Sequence, residues 1–157
     1  MAPEWYFAVK WIHIVSATLL FGTGIGTAFH FWFTCRAGVP AAVAACARAT
    51  VVADFAFTLP AALVQPVSGF FLARIAGYPL DSGWLVIAYG LYALAAACWI
   101  PVVFIQVRMR DIAAACAAGG RALGEDFRRL FRAWFWLGWP AFGAMLAILW
   151  LMVGRPA

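Results

Sequence analysis

The sequence predicts an all-α, polytopic membrane protein: one domain over residues 1–157, folded as a four-transmembrane-helix bundle with both termini periplasmic. Three observations predict it. The chain is 67% hydrophobic and only 11% charged, whereas a soluble domain is about 45–50% apolar and about 25% charged. A chain of this length buries only about two thirds of its surface on folding, so lipid must cover the apolar remainder. Finally, four stretches approach the roughly 20 apolar residues that a bilayer span requires.

The first span covers about residues 5–33, interrupted by Lys10, His13 and His30. Its start, Met1-Ala2-Pro3-Glu4-Trp5, has no basic segment and no small-residue cleavage pattern, so it reads as a retained span. Arg36-Ala37-Gly38-Val39-Pro40 ends it, and residues 41–49 look like a short amphipathic lead-in to the second span, about residues 50–73. Turn chemistry at Gly77-Tyr78-Pro79-Leu80-Asp81-Ser82-Gly83 follows, with Asp81 or Ser82 as a candidate N-cap. The third span is about residues 84–107. Residues 108–130 are the one long polar segment, helical through its alanines and broken at Gly119-Gly120, before the fourth span at about residues 131–153.

Charge sets the orientation. Arg36, Arg48, Arg108, Arg110, Arg121, Arg128, Arg129 and Arg132 fall on one side, against Lys10, Arg74 and Arg155 on the other. Positive residues stay cytoplasmic, so the protein is expected in the bacterial inner membrane with its termini outside. Trp5, Tyr6, Trp11, Tyr78, Trp84 and Trp150 are expected near the outer interface, and Trp32, Trp134 and Trp136 near the inner one. The net charge of +5 belongs to that cytoplasmic face. Because the aromatic residues lie inside apolar spans, nucleic acid is excluded as a partner. Cys35, Cys46, Cys98 and Cys116 lack metal-knuckle spacing and read as small packing residues.

Ionisable groups in a span mark function by default. His13 and His30 are the only histidines. They are 17 residues apart, about 25 Å along a helix, so a single porphyrin cannot take both. Met145 and Met152 on the fourth span are the soft partners at the depth of His13, and His/Met or His/His ligation suits haem iron. A symmetric homodimer is the other route to a second histidine. Lys10, one turn away, is placed to neutralise a propionate. Thr18, Gly22, Gly26 and His30 form a small-residue stripe that admits either a neighbouring helix or a flat ligand. Asp54 enters the second span from the side of His30, and a His30–Asp54 hydrogen bond is expected, with Arg48 or Arg108 as the alternative partner. Pro60 and Pro66, with Gln65 near mid-bilayer, imply a kink and a polar interior; Pro101 and Gln106, then Pro140, repeat the theme. No hydrolase triad, Walker loop, dinucleotide fingerprint or H-E-x-x-H helix occurs.

The strings KWIHIVSATLLFGTGIGTAFHFW, ADFAFTLPAALVQPVSG, CWIPVVFIQVRMRD and LFRAWFWLGWPAFGAMLAILWLMV resemble the bacterial predicted integral membrane proteins grouped as domain of unknown function 2269. The first of them also carries K-x-x-H, Lys10-Trp11-Ile12-His13. In that element the chain is similar to the four-helix membrane group of J-type protoporphyrinogen oxidase and copper-resistance-D-like proteins. The second resemblance implies haem b, with His13 as axial ligand and Lys10 as its charged neighbour. The functional expectation is therefore a haem-b protein of electron transfer or quinone- or porphyrin-linked redox chemistry. The alternatives are an accessory subunit of a larger membrane complex, or a small-molecule or ion transporter lined by Gln65, Asp54 and His30.

Overall fold

The computed structural model describes residues 4–154. Arg155, counted above with the termini, lies outside them. Helices α1 (Glu4–Ala37), α2 (Pro40–Ala53), α3 (Leu59–Ile75), α4 (Gly83–Ala118) and α5 (Glu125–Gly154) account for almost all of the described chain, with a π-helical turn at Asp54–Thr58 between α2 and α3. These make four continuous rods long and apolar enough to cross a membrane: Glu4–Ala37, Pro40–Ile75, Gly83–Ala118 and Glu125–Gly154. Residues 41–49 are thus part of the second rod and not a separate lead-in. Alanine-rich sequence with no interior break leaves nothing there to stop the helix.

The turns follow from glycine and proline. Gly38 adopts φ +70°, a conformation that costs other residues about 1–2 kcal/mol, and Pro40 starts α2 where no amide partner is needed. Gly77 and Gly120 end α3 and α4 in the same left-handed state. Behind them, Tyr78 N–H donates to Ala73 O at 3.0 Å and Arg121 N–H to Cys116 O at 2.9 Å, which satisfies carbonyls the helix ends leave free. Ser82 occupies the N-cap of α4, but its hydroxyl donates to Pro79 O; neither Asp81 nor Ser82 caps with its side chain.

The second rod bends without breaking. Pro60 cannot donate a backbone hydrogen bond and its ring crowds the carbonyl a turn earlier. The π turn just before it widens the helix, and Leu59 N–H reaches Asp54 O, five residues back. Pro66 likewise deprives Ala62 O of its helical donor. The Tyr92 hydroxyl on α4 donates to that carbonyl, and the Tyr89 hydroxyl donates to Pro66 O at 3.3 Å. Neighbouring side chains thus resatisfy a kinked membrane helix.

The broadest interfaces are α4 on α5, α2 on α4 and α1 on α3, while α1 meets α5 through aromatic side chains, Phe21 on Phe142 and Phe31 on Trp134. The apolar core lies toward the basic end, between Phe31 and Cys35 of α1, Val43, Ala44, Cys46 and Ala47 of α2, Val102, Met109 and Ala113 of α4, and Phe127 and Trp134 of α5. Trp134, expected at the interface, is one of its buried members. Its ring stands edge-on to Phe31 at 5.2 Å and parallel to Phe131 at 5.8 Å. Trp5, Trp11, Trp136 and Trp150 do face outward, as lipid contact requires.

Candidate functional site

Away from the core, α1 and α3 meet through polar side chains. His13 and Ser16 share a face of α1, being three residues apart, and Gln65, Ser68 and Gly69 share a face of α3 by the same rule. The Gln65 amide nitrogen donates to His13 O at 2.8 Å and to Ser16 Oγ at 2.9 Å. Ser16 Oγ–H donates to His13 O at 3.1 Å. The need of Gln65 for a partner in the membrane is met by the backbone of α1.

The imidazole is held separately. Ser68 Oγ lies 2.7 Å from His13 Nδ1 and 2.7 Å from Val64 O. A serine hydroxyl has one proton, and the carbonyl can only accept it. With that proton on Val64 O, Ser68 accepts from His13 Nδ1–H and Nε2 keeps its lone pair; with it on Nδ1 instead, the ring carries its proton on Nε2. The backbone of Gln65 also faces the imidazole. Gly69 makes the fit possible: a Cβ there would sit 3.3 Å from His13 Cε1, tighter than ordinary contact.

A second polar group lies nearer the basic end. Asp54, the first residue of the π turn, is only 5% exposed. The Gln106 amide is oriented by its two neighbours: its nitrogen donates to Asp54 Oδ2 at 2.8 Å, and its oxygen accepts from Trp134 Nε1 at 3.1 Å. The Trp99 indole and the Thr58 hydroxyl also face the carboxyl, yet Thr58 Oγ1 is buried without a hydrogen bond of good geometry.

The structure separates other residues that the sequence grouped. The expected His30–Asp54 pair does not form. His30 points outward and only its carbonyl is engaged, by Thr34 Oγ1 at 2.8 Å, because the π turn directs Asp54 to α4. Arg48 and Arg108 are exposed and do not replace it. Met145 and Met152 are half-buried on α5, whose main partner is α4, and neither is among the groups that bond the His13 ring. Lys10 is exposed and lies over the Tyr6 ring, 5.9 Å from its centroid. Gly22 and Gly26 have open space where a Cβ would stand, so no helix of this chain packs on the stripe. Two surface depressions, one lined by Ile112, Cys116, Arg121 and Phe127 and the other by Trp32, Phe33 and Arg36, involve none of the kink residues Pro60, Gln65, Pro66 and Gln106. Both lie toward the basic end of the molecule. Among the described residues, no three of His, Cys, Asp and Glu gather as a metal-binding group.

Ser16, Ser68 and Gly69 are the members that sequence reasoning missed. The signal for them was the i, i+3, i+4 spacing of Gln65, Ser68 and Gly69, a polar stripe on an otherwise apolar helix.

A family model described as predicted integral membrane protein (DUF2269) matches residues 7–156. No curated protein and no solved structure matches the chain.

Proposed function

The chain belongs to the DUF2269 family of predicted integral membrane proteins, and we propose that it works in the bacterial inner membrane as a haem-b-binding protein of electron transfer, with His13 as the axial ligand. One observation carries the reading: Ser68 Oγ lies 2.7 Å from both His13 Nδ1 and Val64 O, the arrangement in which Nδ1–H donates to Ser68 and Nε2 keeps its lone pair. Metal-ligating histidines characteristically donate their other N–H to an oxygen, which orients the ring and raises its basicity.

The fit to haem is one-sided. This chain supplies a single axial nitrogen, and Met145 and Met152 do not provide the second. Haem would bring one-electron exchange at the iron. His13 would hold it, Ser68 would keep the imidazole in the ligating tautomer, and Gly69 would leave room for the ring to turn toward its ligand. Lys10, one turn along α1 and exposed, is available to a propionate. The redox partner in this reading would be a lipid-soluble molecule of the quinone or porphyrin class. The basic end faces the cytoplasm in this reading, which puts His13 toward the periplasmic side.

The test is the absorption spectrum of the detergent-extracted protein from cells supplied with a haem precursor. A Soret band that co-purifies in proportion to the chain is expected. Colourless protein under those conditions overturns the proposal. An accessory-subunit role is favoured by the open Gly22–Gly26 stripe alone, and stoichiometric co-purification of another chain would identify it.

A further inference from the structure

Asp54, Thr58 and Gln106 are buried to similar degrees, with 5%, 6% and 4% of their surfaces exposed, and no haem chemistry uses them. We propose that these three residues form an intramembrane proton-binding site, with Asp54 as the group that takes the proton. The site is independent of the His13 reading.

The argument rests on what faces the carboxyl. From α4 come the Gln106 amide and the Trp99 indole, and from its own turn comes the Thr58 hydroxyl. From α5 comes Trp134, one bond removed through Gln106. All are neutral. The nearby cations are occupied or turned away. His30 and Arg36 of α1 are exposed, and Arg36 stacks on Trp32 at 5.1 Å. Arg48 of α2 and Arg108 of α4 are exposed, Arg110 pairs with Asp111, and Arg132 pairs with Glu125. No ion pair to Asp54 exists among the described residues. An ionised carboxylate left in hydrocarbon with only neutral partners is so costly that it neutralises instead.

The surrounding hydrogen bonds can accommodate the proton. Gln106 donates to Oδ2, so that oxygen accepts. A neutral carboxyl also has an O–H that needs an acceptor. The Thr58 hydroxyl faces the carboxyl, has no other hydrogen bond of good geometry, and belongs to the last residue of the turn that Asp54 begins. A hydroxyl both donates and accepts, so it can take the proton of the neutral carboxyl as well as donate to the ionised one. Local π-helical geometry is frequent at functional positions. Here it sets the acid and its acceptor in one widened turn. Through Gln106 and Trp134 the proton is linked to the ring packed on Phe31, so its loss would be felt in α1, α4 and α5 together.

Infrared difference spectroscopy of the full chain in lipid discs tests this. At neutral pH, a carboxylic-acid C=O band is expected. It should vanish in Asp54→Asn, which keeps the shape of the side chain, and shift in frequency in Thr58→Ala, since the proton loses its acceptor. Added sodium should leave it unchanged. A wild-type spectrum without the band, a band that survives Asp54→Asn, or one that Thr58→Ala leaves unmoved overturns the proposal. A band lost on adding sodium overturns it too, by showing that a metal cation occupies the site.

Discussion

His13→Ala is expected to abolish haem binding, while His30→Ala leaves it intact. The loss should exceed the roughly 10- to 100-fold that removing an outer-shell partner costs, and Ser68→Ala should fall within that range. The contrast is interpretable because the helices have little reason to come apart. Gln65 bonds the backbone carbonyl of residue 13 and the Ser16 hydroxyl, and both survive in His13→Ala. Ser68 keeps its own bond to Val64 O. Only one neutral hydrogen bond is lost, about 1 kcal/mol. Titrating haem into the purified variants and following the Soret band gives the three affinities. Equal binding by wild type and His13→Ala would remove His13 as the ligand, and loss in His30→Ala would move the site to the other histidine.

Trp134→Ala is the substitution expected to damage the fold most. Trp134 is 6% exposed in the apolar core. Its ring closes on Phe31 and Phe131, and its indole N–H holds the Gln106 oxygen. Truncating a buried tryptophan costs about 3–5 kcal/mol, much of it from the cavity left behind. Trp134→Phe keeps most of the ring and loses the donor, so it should fall well short of that loss. Denaturant titration in micelles, read by the remaining tryptophans, measures both. A Trp134→Ala protein as stable as wild type would mean that the packing around Phe31 is not what holds the basic end together.

Much of the architecture was legible because lipid imposes simple rules. Every backbone group in a span must be satisfied internally, so apolar length alone marks the helices, and Gly38, Gly77 and Gly120 punctuate them. Continuity through residues 40–58 was harder to read. A proline normally signals a break, and nothing in the string Asp54-Phe55-Ala56-Phe57-Thr58 announces a π turn. The candidate sites depend on rotation about the helix axes, which hydrophobicity cannot fix when apolar residues surround the helix on all sides. His30 and Asp54 were paired by depth, whereas the widened turn aims Asp54 at Gln106. Met145 and Met152 were matched to His13 by depth as well, but α5 packs chiefly on α4. Gln65 was rightly read as needing a partner, and its partner proved to be largely backbone.

The account depends most on the state of one imidazole, and nitrogen-15 magnetic resonance observes it directly. With His30→Gln in place, a histidine-labelled chain in lipid discs, prepared without haem, reports on His13 alone. The predicted spectrum shows Nδ1 protonated and hydrogen-bonded and Nε2 unprotonated, the tautomer in which Ser68 gives its own proton to Val64 O, and that pattern should relax in Ser68→Ala. A proton on Nε2, or two nitrogens averaging as in a freely hydrated imidazole, would contradict it.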